Sequence, residues 1–157
     1  MNVLLAIKPE FAEKILNGRK NYEFRRTGFK DASEIELVFL YSSAPDSEIV
    51  GVFTSNRVVE APPEELWDLF GGESGIEDRS RFLDYFEGKE TGHAIEIDDR
   101  YRFDTPIDPK VRFSDFSPPM SFMYLDDNKI GSLQPAIPDM FKQDTTETNL
   151  TQYQTGN

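Results

Sequence analysis

The sequence contains no cysteine and one histidine, His93, among its 157 residues. A disulfide framework, a thiol nucleophile and a thiolate metal site are therefore excluded, and a histidine-rich metal centre with them. A Ser-His-Asp hydrolase would have to use His93, which alternates with Ile95 and Ile97 in the manner of a packed strand residue. No stretch approaches the ~20 apolar residues that span a bilayer. The opening MNVLLAIKPE lacks the basic head and longer apolar run of a secretory signal. A cytoplasmic chain with no membrane contact is expected, with no metal and no cofactor. Internal repeats, a P-loop, a GxGxxG turn and a basic amphipathic helix are absent as well. Positive charge is scarce: 17 Lys and Arg face 29 Asp and Glu, a formal net charge of −12. That balance argues against a protein that coats nucleic acid non-specifically, because such binding draws on many cation contacts to phosphate.

What is present suffices for one ordinary core. The chain is 38% hydrophobic with 13 phenylalanines, which predicts a folded domain over residues 1–142. The last stretch, QDTTETNLTQYQTGN over 143–157, is polar and aperiodic and is expected to be a disordered tail unless a partner folds it. Charge is unevenly spread. Residues 1–30 hold seven basic and three acidic side chains, whereas residues 31–157 hold ten and 26. A positive site in an acidic body admits one anionic or base-like group and repels a long polyanion at its flanks. The acidic surface itself serves either solubility in salt or a protein partner.

The apolar run VLLAI (3–7) reads as a buried strand ended by Lys8-Pro9, and a helix follows with Pro9 in its first turn and Gly18 as its stop. Residues 20–26 alternate, with Tyr22 and Phe24 on one face and Asn21, Glu23 and Arg25 on the other. IELVFLYS (35–42) and IVGVFTSNRVV (49–59) read as neighbouring antiparallel strands. A helix begins at Pro62-Pro63, and a third is predicted from the Ser74-x-x-Glu77 spacing through Phe86. Strands at 92–97 and 101–103, a loop carrying Pro106 and Pro109, and a strand at 121–125 complete the chain. Asp98-Asp99 and Asp126-Asp127 read as solvated turns. The expected fold is α+β, a small mixed β-barrel flanked by about three helices.

The densest chemistry lies in residues 8–26. Glu23 and Arg25 share a strand face, a fork that accepts from and donates to a base edge. Lys8 and Lys20 supply contacts to phosphate or carbonyl oxygens, with free N–H groups at the helix start beside Lys8. The same Lys20, Glu23 and Arg25 also read as a structural ion-pair cluster fixing the first helix against the barrel.

The segment resembles the ASCH domains of the PUA-like superfamily, whose Gly-x-Lys-x-x-Glu-x-Arg pattern after the first helix is matched by Gly18, Lys20, Glu23 and Arg25. LLAIKPEFAEKILNG, VGVF, PEELW, GHAIEI and PPMSFMYL extend the likeness over roughly residues 3–125. The resemblance implies a PUA-like barrel with a cleft against the first helix that binds single-stranded RNA or one modified nucleotide or nucleoside. It also implies that Tyr41, Ser121 and Tyr124 line that cleft beside Lys8, Lys20, Glu23 and Arg25. Some relatives hydrolyse N4-acetylcytidine and others are linked to RNA cleavage. A small hydrolase acting on a modified cytidine or on RNA, with Lys20 and Glu23 as its acid/base pair, is therefore the alternative to a binding module. In the amidohydrolase branch a Thr nucleophile stands where this chain has Glu23, so that covalent mechanism does not carry across.

Overall fold

The structure, a computed structural model, describes residues 1–141; the expected tail over 143–157 lies outside the described residues. The element order is β1 (Asn2–Ile7), α1 (Pro9–Leu16), β2 (Tyr22–Arg25), β3 (Leu37–Ser42), β4 (Glu48–Thr54), β5 (Val58–Ala61), α2 (Pro63–Phe70), α3 (Arg79–Tyr85), β6 (Gly92–Glu96), β7 (Arg100–Ile107), α4 (Pro109–Arg112), β8 (Phe122–Leu125) and α5 (Asp127–Leu133). Among the described residues, eight strands form two sheets, β7-β4-β3-β1-β8 and β2-β6-β5. β1 and β3 run parallel, and the other pairs are antiparallel.

The period of two in each strand sorts side chains into three apolar layers. Leu4, Phe39 and Tyr41 face one layer, closed by Leu133 of α5. Val3, Leu5, Val38 and Leu40 face the opposite way, onto Ala12 and Ile15 of α1 and onto Ile95 of β6. Tyr22 and Phe24 of β2 face a third layer, against Phe70 of α2 and Phe82 of α3. Since Tyr22 and Phe24 point that way, Glu23 and Arg25 point between the two sheets. That placement creates the site.

Several local expectations are corrected. The stretch 49–59 is two strands in different sheets, because the chain turns at Ser55–Arg57 and Thr54 pairs instead with Asp98 and Asp99 through its backbone. Pro106 lies inside β7 rather than in a loop, and β7 is an edge strand, where a missing N–H is tolerated. Asp78, not Ser74, caps α3, accepting from the Ser80 amide; Ser74 is buried, and its hydroxyl donates to the Gly71 carbonyl. Asp126 is the cap of α5 rather than a bare turn residue. Five α-helices are described rather than three, the unexpected pair being α4 and α5, which are four and seven residues long.

One arginine ties the helix to the sheet. Arg100 of β7 donates through Nη1 to the carbonyls of Ile15 (2.7 Å) and Lys20 (3.1 Å), and through Nη2 to Asn21 Oδ1 (2.7 Å). It fixes the turn that delivers Lys20. Arg100→Ala leaves those acceptors without their charged donor and is expected to lower stability by about 2–3 kcal/mol. Urea denaturation checks this, and an unchanged midpoint would show that the turn holds itself.

Candidate functional site

The turn after α1 brings Lys20 beneath the segment Glu73–Ile76. Arg19 and Lys20 amides both donate to the Lys14 carbonyl (2.9 and 3.0 Å), and the Asn21 amide donates to the Glu73 carbonyl (2.8 Å). Lys20 Nζ then donates to the Ser74 carbonyl and lies 3.3 Å from Glu23 Oε1. The other carboxylate oxygen, Glu23 Oε2, lies 2.8 Å from Arg25 Nη2. Gly75, at φ +74°, leaves room for this: a Cβ there would come within 3.2 Å of the Lys20 side chain. All three charged residues are buried, Lys20 at 1%, Glu23 at 6% and Arg25 at 8% exposure.

Charges this deep are tolerable because each is paired and hydrogen-bonded. Arg25 Nη2 also donates to the Ala6 carbonyl (2.7 Å) and Nη1 to Ser121 Oγ (3.3 Å), while Nε has no partner among the described residues. Because Ala6 continues β1 and its own amide donates to the Ser121 carbonyl (2.8 Å), Arg25 staples β2 of one sheet to the β1–β8 edge of the other. Lys20 is further enclosed by the rings of Phe11 and Phe24, 5.1 and 5.4 Å from Nζ. Burial pushes the Lys20 ammonium below its ordinary pKa; Glu23 opposes the shift, and Arg25 and Lys14 add to it.

Above this cluster opens a cavity of about 1000 Å³. Lys8, Lys20, Glu23, Arg25 and Ser121, expected at a cleft, all line it. The structure does not bring Tyr41 or Tyr124 to it. Tyr41 is buried in the layer on the far face of the sheet, against Phe116. Tyr124 lies at the surface, where its hydroxyl accepts from the Lys30 amide (2.7 Å). His93 stands opposite Arg25 in the strand register, its Nε2 3.9 Å from Glu60, and is not a lining residue.

Other lining groups were not singled out from the sequence. Arg26 is exposed at the rim, and among the described residues neither it nor Lys8 has a side-chain partner. Arg81 of α3 pairs with Glu10 (3.0 Å) and stands over the Phe11 ring. Tyr85 and Met120 flank the opening, Met120 with its side chain fully exposed. Burial raises the Tyr85 phenol above its usual pKa, Arg25 pulling it back and Glu23 adding to the rise. Among the described residues the lining therefore holds five cations, Lys8, Lys20, Arg25, Arg26 and Arg81, against two carboxylates, Glu23 and Asp84. α3 supplies Arg81, Asp84 and Tyr85 at helical spacing. Only their packing against β2, which no local pattern encodes, marks them as site residues. Among the described residues, no three His, Asp or Glu side chains gather as around a metal, and no helix is long and apolar enough to cross a membrane.

No protein-family model matches the chain. It is 29% identical over 128 residues to an ASCH domain-containing ribonuclease of Zymomonas mobilis, a match covering 78% of this chain and 82% of that protein. The crystal structure of the ASCH protein from Zymomonas mobilis aligns with a TM-score of 0.77 at 27% identity, over 85% of this chain and 94% of that one. Crystal structures of two point mutants of that protein, one at a serine and one at a tyrosine, align with the same TM-score.

A depressed Lys20 means that the folded chain holds fewer protons than the unfolded chain between that depressed value and the ordinary 10.5. The penalty of burying the ammonium is present in full below that window and is relieved as pH rises through it. The stability of the wild type relative to Lys20→Met is expected to increase toward alkaline pH. Paired denaturation curves across that range check the sign, and a difference that falls with pH would contradict the buried-ammonium account.

Proposed function

Taking as premise that this chain carries an ASCH domain, on fold and sequence together, we propose that it is a module that binds single-stranded RNA, one nucleotide of which enters the cavity beside Lys20, Glu23 and Arg25. The observation that carries this is the excess of cations around a roomy, aromatic-walled cavity in a protein of net charge −12. Fixed positive charge inside an acidic body draws a single phosphate or carbonyl inward while the outer surface repels a long polyanion. Tyr85, Phe11 and Met120 offer apolar faces to a base, and Lys8 and Arg26, without side-chain partners among the described residues, meet its phosphates. The two sheets stand for the expected PUA-like barrel in this reading, with residues 1–142 as its folded unit.

The division of labour differs from a simple fork reading the base. Both Glu23 oxygens and both terminal Arg25 nitrogens are already engaged by protein groups. They set the charge and shape of the cavity floor, while the contacts that vary with ligand come from its rim. A second reading, an RNA hydrolase, is favoured by the name of the Zymomonas relative. In it Glu23 takes a proton from the attacking oxygen as that oxygen bonds to phosphorus, and the Lys20 ammonium gives one to the oxygen that leaves as its P–O bond breaks.

Fluorescence polarisation of a short labelled single-stranded RNA pool tests the proposal. Saturable binding is expected, with a shallow salt dependence corresponding to about one to three phosphate contacts. Lys8→Ala and Arg26→Ala, both at exposed positions, are each expected to weaken binding several-fold and to reduce the salt slope by about 0.7, the single-strand value per phosphate. Absence of binding at low salt would overturn the reading. Separation of the bound RNA by length distinguishes the second reading: shortened products that disappear in Glu23→Gln would establish cleavage, and intact RNA would leave a binding module.

A further inference from the structure

A second, shallower cavity of about 470 Å³ lies on the other side of the segment Ser74–Ile76, and Ile76 lines both. The two cavities are organised as a pair. Lys20, in the first, reaches the Ser74 carbonyl, and Lys14, in the second, reaches the carbonyl of the next residue, Gly75, at 2.7 Å. Consecutive carbonyls of one short segment thus hold one lysine for each cavity.

The second cavity has the complement of groups that a nucleotide needs. Lys14 Nζ carries three donors, of which the Gly75 carbonyl takes one. Arg19 is exposed beside it, and its guanidinium has no partner among the described residues. The ring of Trp67 leans on bare backbone at Gly71, where a Cβ would come within 2.7 Å of it, and the half-buried indole forms part of the wall. Among the described residues, Glu77 is the one carboxylate in this lining, against two cations.

We propose that this cavity is a subsite for the nucleotide adjacent to the one in the first cavity, with Arg19 and Lys14 receiving its phosphate and Trp67 its base. The ligand is then an RNA of two or more nucleotides, not a free nucleoside. The inference rests on the RNA-binding reading above and deepens it.

Trp67 is the only tryptophan of the chain, so the tryptophan emission comes from a residue that lines this cavity. A mononucleotide and an oligonucleotide of four residues are titrated separately into the wild type and into Arg19→Glu, with circular dichroism confirming that the variant folds. The oligonucleotide is expected to bind the wild type about tenfold or more tighter than the mononucleotide, as one further stacked base and phosphate supply, and to quench Trp67. The mononucleotide is expected to leave the emission unchanged. In Arg19→Glu the ratio of the two affinities is expected to fall toward one. Equal affinities in the wild type, or an undiminished ratio in the variant, would overturn the second subsite while leaving the first cavity as the RNA site. Failure of both ligands to bind would overturn the RNA reading and this inference with it.

Discussion

Glu23 is a buried carboxylate held between two buried cations, and the cavity exists on the condition that this arrangement is complete. Lys20 reaches it from the turn after α1 and Arg25 from the same strand, at 3.3 and 2.8 Å. Removing one partner of such a cluster leaves a charge in a low-dielectric interior without compensation, which typically costs about 3–5 kcal/mol. The remaining donors of the cluster tie it to three separate places, the carbonyls of Ser74 and Ala6 and the hydroxyl of Ser121. The ion cluster is thus both the floor of the site and the joint between the two sheets. In the proposed reading, a structural and a functional role for these residues are the same arrangement seen from below and from above.

This dual role distributes the chemistry. Groups at the floor are held by protein partners and present a fixed electrostatic surface, whereas the rim groups, Lys8, Arg26, Tyr85 and Met120, remain accessible. A preorganised charged floor attracts a ligand without the cost of ordering long side chains on binding. The acidity of the rest of the chain sharpens this effect, since the positive lining is local and the surrounding field is not.

Much of the site was legible because a strand's period of two is unforgiving. Once Tyr22 and Phe24 were assigned to one face, Glu23 and Arg25 had to share the other, and Lys20, Gly18 and the helix start at Pro9 fell into place around them. The elements of β1, α1 and β2 were readable for the same reason, each having a clear period and a proline or glycine at its boundary. What was not legible depended on tertiary pairing. The strand at 49–59 divides between two sheets although its β-branched residues run on either side of the turn without a strong breaker, and Pro106 is accepted because β7 happens to lie at an edge. Tyr41 was placed at the cleft, but the same alternation that turns Val38 and Leu40 toward α1 turns Tyr41 to the far face. Arg81, Tyr85 and Arg100 were invisible as site residues because their importance arises only from what packs against them.

The most direct test of the account is to map the RNA contact on the folded protein by backbone amide NMR, titrating a short single-stranded RNA into the isotopically labelled chain. The account predicts perturbations concentrated around Lys8, Arg26, Tyr85 and Ser121 at the mouth of the cavity, with the layer beneath α5 silent. Perturbations centred instead on α4 and α5, or none at all at saturating RNA, would contradict it.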